Sequence, residues 1–226
     1  MAKKKSKKQS PAVIQVDIVS DIVCPWCWLG ARYFFKAAKQ TKHHITVTWR
    51  PYMLDPTVRE PGVPYRDYMK NKFGDGPSDK FKAMREHLEK AAPTVGINFR
   101  FDDIPMRPNT LNAHRLMKWA NGQKLGNEMA EALFRAFFDH HRDVGDPAVL
   151  AKIADEIGMD GELVSELLAK DEDRNAVMEE MMFFRNLGIN GVPCFIYQGQ
   201  FAVQGAQEPA QHLAAIEKAA SLPAEA

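Results

Sequence analysis

The sequence predicts an α/β protein: a mixed sheet assembled from the two ends of the chain, with a large helical domain inserted between them. Three observations predict it. Near the N-terminus a β-branched run, a helical stretch and a second β-branched run follow one another with the length a parallel β-α-β crossover needs. Near the C-terminus two short strands separated by a turn read as a hairpin, and a helix follows. Between these halves, from about residue 55 to 170, nearly every periodic segment repeats at helical spacing.

Ile14 to Val19 alternates and is rich in Val and Ile, so it reads as a strand. A helix starts at Cys24 or Pro25 and runs to about Gln40, with Leu29, Tyr33, Phe34, Ala37 and Ala38 on its apolar face. Ile45 to Trp49 is the second strand, closed by Pro51. In the insertion, Asn109 caps a helix through Trp119, and Glu128 to His141 carries Met129, Leu133, Phe134, Phe137 and Phe138 at helical spacing. Asp146-Pro147 is an N-cap followed by proline at the first helical position, and Gly158 ends that helix. Asp160 opens a short helix to Ala169. Stretches rich in Pro and Gly (56–64 and 74–77) punctuate the run. A helix over about 175–187 then stops at Gly188. Cys194 to Tyr197 and Phe201 to Val203 form the hairpin around Gln198-Gly199-Gln200, and a last helix covers about 208–220. The expected organisation is a basic tail (1–12), a discontinuous sheet domain (13–55 and 171–222) and an inserted helical domain (56–170).

The chain has 226 residues, 45% hydrophobic and 26% charged, as an ordinary globular protein does. Five lysines between Lys3 and Lys8 conceal an acidic body: without them the formal charge of +1 becomes about −4. The tail reads as disordered and solubilising. No basic stripe in the body matches it, so nucleic acid is not expected as a partner. No apolar stretch is long enough to span a bilayer, and no signal-peptide core follows the lysines, so no membrane partner and a cytoplasmic location are expected. Three cysteines are too few for a disulfide-stapled scaffold.

Cys24-Pro25-Trp26-Cys27 carries the chemistry. It places two thiols one turn apart where a strand passes into a helix. The donors and dipole of a helix N-terminus stabilise an anion, which makes Cys24 the attacking sulfur. With Cys24 at the N-cap and Pro25 at the first helical position, the N–H groups of Trp26 and Cys27 are expected to point at the Cys24 sulfur. Cys27, one turn inside, is expected to be buried and to resolve the mixed disulfide formed at an exposed Cys24. Trp26 and Trp28 read as packing residues, with an apolar landing surface for substrate as the alternative for Trp26; Trp26 offers no cation, so the pair is expected to be less oxidising than one with histidine in that slot. Cys194 reads as a small, inert core residue, with a third thiol close enough to trap or regulate the pair as the alternative. Asp21 reads as a turn residue, with proton management near Cys27 as its functional option, an option Asp17 in the first strand shares. The pairs His43-His44 and His140-His141 have no metal spacing with the cysteines.

The order of Cys24-Pro25-Trp26-Cys27-Trp28-Leu29-Gly30, Arg50-Pro51-Tyr52-Met53-Leu54, Asn109 with His114-Arg115-Leu116, and Gly191-Val192-Pro193 resembles the DsbA-like branch of the thioredoxin superfamily. Within it the FrnE-type subgroup, dithiol–disulfide oxidoreductases without a signal peptide, is the nearest likeness. It covers nearly the whole chain after residue 13 and implies a thioredoxin-like sheet domain. It also implies a cis Val192–Pro193 bond facing the two thiols, with the backbone there open to an extended substrate. On this reading Cys24, Cys27 and Pro193 are catalytic, and Pro25, Trp26, Val192 and His114 contact substrate. From its own segment, His114 reads as a helix-packing residue before a substrate contact. The redox-active Cys24–Cys27 pair requires no cofactor. Protein or small-molecule thiols and disulfides are the implied substrates, with glutathione as a possible co-substrate and glutathione or a thioredoxin-type reductant as recycling partner.

The sequence is also similar to the glutathione-dependent 2-hydroxychromene-2-carboxylate isomerases and kappa-class glutathione transferases, which carry serine in place of Cys24 and lack the second thiol. A zinc site would need a second ligand pair that the chain does not offer, so no metal is expected. A non-enzymatic binding or chaperone module is the remaining alternative.

Overall fold

The structure, a computed structural model, describes residues 11–74 and 79–222. The lysine tail, apart from its last two residues, and most of the predicted 74–77 turn lie outside the described residues. Strand β1 (Val13–Ser20), helix α1 (Pro25–Ala38) and strand β2 (His44–Pro51) form the predicted parallel crossover, with Val13 opposite His44 and Ser20 opposite Pro51. Strands β5 (Cys194–Tyr197) and β6 (Phe201–Gln204) form the hairpin, and β5 runs antiparallel to β1. The sheet order is β2-β1-β5-β6, so the strand leading to the two thiols lies inside the sheet.

Alternation along β1 and β5 builds two faces. Ile14, Val16 and Ile18, with Phe195 and Tyr197 opposite the last two, meet Phe34 of α1 and Ile216 of the last helix, α9 (Pro209–Ser221). Ile14, Ile18, Phe34 and Phe195 are fully buried, each contributing about 1.5–3 kcal/mol. On the other face Val19 and Cys194 pack with Tyr52, Phe184 and Ile189.

The insertion contributes α2 (Tyr65–Phe73), α3 (Asp79–Ala91), α4 (Leu111–Gly122), α5 (Gly126–Phe138), α6 (Pro147–Glu156) and α7 (Gly161–Ala169), followed by α8 (Arg174–Asn186), which packs on β2. Asp146 and Asp160 cap α6 and α7 as predicted, accepting from Ala148 and Leu163 N–H at 2.8 and 2.9 Å. Asn109 acts one residue earlier than predicted. Its Oδ1 accepts from Leu111 N–H at 2.9 Å while its Nδ2 donates to the Val58 carbonyl at 2.7 Å, leaving Thr110 as the N-cap. Helix α5 stops at Phe138 rather than His141, because His140 N–H turns back to the Arg135 carbonyl and His141 takes a φ of 54°.

A second, two-stranded sheet was not predicted. Val63–Pro64 (β3) and Met106–Arg107 (β4) form a two-residue antiparallel ladder. It fixes the start of α2 and brings Arg107 towards the first turn of α1. Trp28 joins that helix to the insertion: its ring lies nearly parallel to Phe134 and Phe138, with centroids 6.2 and 5.9 Å away, and Phe99 meets it edge-on. Its indole N–H donates to Glu131 at 3.1 Å, and the same carboxylate holds Arg32.

Candidate active site

Three short segments converge at the N-terminus of α1. Cys24 occupies the N-cap with extended backbone, its N–H donating to the Asp21 carbonyl at 3.0 Å, and Pro25 takes the first helical position. The Val192–Pro193 bond is cis. The Cys24 thiol donates to the Val192 carbonyl across 3.9 Å. Behind it, the Pro193 carbonyl accepts from Gly205 N–H at 2.8 Å, and Gly30 lets α1 approach this segment closely.

Two expectations about Cys24 need correction. Its sulfur accepts no helix-capping hydrogen bond. The Cys27 and Trp28 N–H groups turn to the Cys24 carbonyl instead, at 3.0 and 3.4 Å, and the thiol points to the Val192 segment. Nor is Cys24 exposed: only 3% of it meets solvent. It lies on the floor of a cleft of about 390 Å³ beside Pro25, Trp26 and Val192. The ladder-anchored α2, with α3 behind it, builds walls from side chains such as Tyr65, Met69, Phe81 and Met84. Among the described residues, four cations, Arg66, Lys72, Arg85 and Arg107, reach the cleft against the single carboxylate of Asp102, which Arg85 holds at 2.6 Å. Burial pushes the Tyr65 hydroxyl up to about 12, so it stays protonated beside these cations.

Of the predicted substrate contacts, Pro25, Trp26 and Val192 line the cleft. His114 does not: it is buried behind the thiols, its Nε2 3.0 Å from the Tyr52 carbonyl and 3.5 Å from Asp21 Oδ1. Trp26 carries no charge, but α3 lays His87 against it, ring centroids 5.4 Å apart. Asp17 is tied to Arg50 at 2.6 Å, a cation it shares with Glu180.

Cys27 is fully buried behind Cys24, and all three cysteines are free thiols. Burial, reinforced by the adjoining Cys24 thiol, pushes the Cys27 thiol well above its ordinary range, while Ser20 and the Asp21 N–H act in the opposite sense. Burial alone would also raise the Asp21 carboxyl. His114, the Arg107 guanidinium and the N–H of Leu54 (2.8 Å) outweigh it and hold Asp21 below the usual carboxylate range. Cys194 sits on the far face of the sheet, and burial raises its thiol to about 11.

Sequence reasoning did not find Arg107, Tyr65, His87 or Ser20. Their only local signal is that Ser20 ends the strand just ahead of the thiol pair. Among the described residues, no group of His, Cys, Asp and Glu is arranged to hold a metal ion, and no helix is long and apolar enough to cross a membrane.

Residues 15–217 match the family model of the DSBA-like thioredoxin domain. A probable DsbA oxidoreductase from Streptomyces coelicolor superposes with a TM-score of 0.84 at 28% identity, covering 94% of this chain and 92% of that one. A 2-hydroxychromene-2-carboxylate isomerase (TM-score 0.65, 16% identity, 91% and 93% covered) shares the fold. So does the cytosolic disulfide reductase DsbM from Pseudomonas aeruginosa, solved with GSH (0.62, 18%, 92% and 100%).

Proposed function

This chain belongs to the DSBA-like thioredoxin domain family, and on that premise we propose that it exchanges disulfides through Cys24 as nucleophile and Cys27 as resolving thiol. One observation carries the assignment of roles. Cys24 faces the cleft, whereas Cys27 is buried behind it with its thiol pushed far up. Only the first can meet a substrate disulfide, and only the second is placed to follow.

Cys24, as thiolate, attacks one sulfur of the substrate; that S–S bond breaks and the departing thiolate takes up a proton. Cys27 then loses its proton and attacks Cys24 Sγ, breaking the mixed disulfide and releasing the second substrate thiol. The protein pair is oxidised by two electrons and the substrate reduced by two; the reverse order oxidises a dithiol. Trp26 and Val192 flank the attacked sulfur, and Pro193 holds the Val192 carbonyl against Cys24. Glutathione or a thioredoxin-type reductant would regenerate the pair in the cytoplasm, and the chemistry calls for no resident cofactor. Without a cation between the thiols, the pair is set to be less oxidising than a histidine-bearing one.

Insulin reduction by glutathione, followed with wild type, Cys24→Ser and Cys27→Ser, tests this reading. Both variants should lose turnover, and the wild-type pair should equilibrate with glutathione at a potential short of strongly oxidising. Full activity in Cys27→Ser would refute the two-thiol mechanism and turn attention to glutathione-dependent isomerisation, which has no need of Cys27.

A further inference from the structure

The charges around the front cleft do not cancel. Arg85 and Asp102 hold each other through hydrogen bonds of 2.9 and 2.6 Å and neutralise one another. Lys72 donates to the Tyr68 hydroxyl at 2.7 Å, and Asp55 stands behind that hydroxyl. Arg66 is exposed; among the described residues it forms no ion pair, and Asp102, which feels its charge, is already held by Arg85. This excess of cations is not a property of the chain at large, whose residues beyond the lysine tail sum to about −4.

Arg107 is the unusual member of the group. Only 4% of it meets solvent, yet among the described residues its guanidinium donates one hydrogen bond, to the Pro108 carbonyl. Its Nη2 stands 3.9 Å from Asp21 Oδ2, too far for a hydrogen bond, and that oxygen already accepts from the Leu54 N–H. A buried cation with unused donors is costly to keep, and a carboxylate bound through both oxygens is the partner that a guanidinium fits best. Tyr65 lines the same cleft close to Arg107, and its hydroxyl, kept protonated by burial, is a donor there and not a competing anion. The neighbouring wall is apolar, with Met69, Phe81 and Met84.

We propose that the cleft selects protein disulfides in which the attacked cysteine is flanked by an apolar and an acidic side chain. The apolar side chain packs on Met69, Phe81 and Met84. The carboxylate takes the unused donors of Arg107, with the Tyr65 hydroxyl and Arg66 beside it. The proposal rests on the two-thiol reading and adds the substrate class; the bonds made and broken at Cys24 and Cys27 are those given above. A cleft of about 390 Å³ suits a drug-sized group, which is the size of a short peptide segment. Glutathione carries carboxylates but no apolar side chain to cover that wall.

Symmetrical disulfides of acetyl-Phe-Cys-Glu-amide and of its Gln and Lys analogues, and glutathione disulfide, are each mixed with reduced full-length protein. Acid quench and mass spectrometry give the rate of attack by Cys24. Each rate is divided by that of the same disulfide with dithiothreitol, which removes its intrinsic reactivity. The Glu peptide should exceed the Gln peptide by about fivefold or more, with the Lys peptide slowest and glutathione disulfide below the Glu peptide. Added salt should narrow the advantage of Glu. Arg107→Gln should bring the Glu-to-Gln ratio close to one, and Arg66→Gln together with Tyr65→Phe should do so if Arg107→Gln fails to fold. Lys39→Gln, at the exposed far end of α1, should leave the ratio unchanged. Equal rates for Glu and Gln in wild type would overturn the proposal, as would a ratio that survives in the folded cleft variants or falls as far in Lys39→Gln. Glutathione disulfide matching the Glu peptide would overturn the assignment to a protein segment. A wild type that stops at the mixed disulfide with every peptide would instead sink the two-thiol reading, and the order of attack rates would still decide the substrate class.

Discussion

Gly30→Ala sets helix propensity against the packing of the site. Gly30 is buried inside α1, where alanine is intrinsically better by about 0.8–1 kcal/mol. A β-carbon there would stand 3.0 Å from Pro193 Cγ, 3.2 Å from Ala206 Cα and 3.3 Å from Ala206 Cβ. These neighbours cannot easily retreat, because the Gly205 N–H bond to the Pro193 carbonyl ties the two segments together at 2.8 Å. Overpacking of this kind costs about 1–3 kcal/mol, so the substitution should give a net loss of about 1 kcal/mol. Urea unfolding of reduced wild type and variant, followed by circular dichroism with the slopes compared, measures it. The same displacement carries the Val192 carbonyl from Cys24, so disulfide exchange should slow as well. A variant that gains about 1 kcal/mol and exchanges at the wild-type rate would refute the argument that α1 and the Pro193 segment are in firm contact.

Trp28→Ala should cost about 3–5 kcal/mol in the same assay, because it empties the space between α1 and α5. Trp28→Phe should cost less, losing chiefly the bond to Glu131. His212 is fully buried 2.8 Å from the Tyr197 hydroxyl, and burial lowers its pKa from 6.5 to about 4. Between those values the unfolded chain binds a proton that the folded one refuses. Stability is therefore complete above pH 6.5 and falls with decreasing pH until about 4, by about 3 kcal/mol in all. Urea midpoints across that window should flatten in His212→Gln relative to wild type; parallel curves would contradict the assignment.

The sheet was legible because its signals are local. Ile14, Val16 and Ile18 alternate within one strand, and Asp146 and Asp160 act within one helical turn of themselves. The thiol pair was legible for the same reason, since four consecutive residues and the strand before them place it. What lay beyond reach was the environment of those thiols. Arg107 arrives through a ladder of two residues per strand, too short for any periodicity to mark. His87 reaches Trp26 from 61 residues away, and His114 reaches Asp21 from 93. The burial of Cys24 follows from α2 and α3 closing above it, which no property of its own segment encodes. The capping geometry failed for a more local reason: the Cys24 carbonyl, not the sulfur, receives the first N–H groups of α1.

Mass spectrometry of the Cys24→Ser and Cys27→Ser variants under a limiting aromatic disulfide tests the central division of labour most directly. Cys27→Ser should accumulate a stable adduct on Cys24, whereas Cys24→Ser should stay unmodified at Cys27 over the same interval. Comparable labelling of Cys27 in Cys24→Ser would contradict it, since a thiol sealed behind its neighbour cannot compete for substrate.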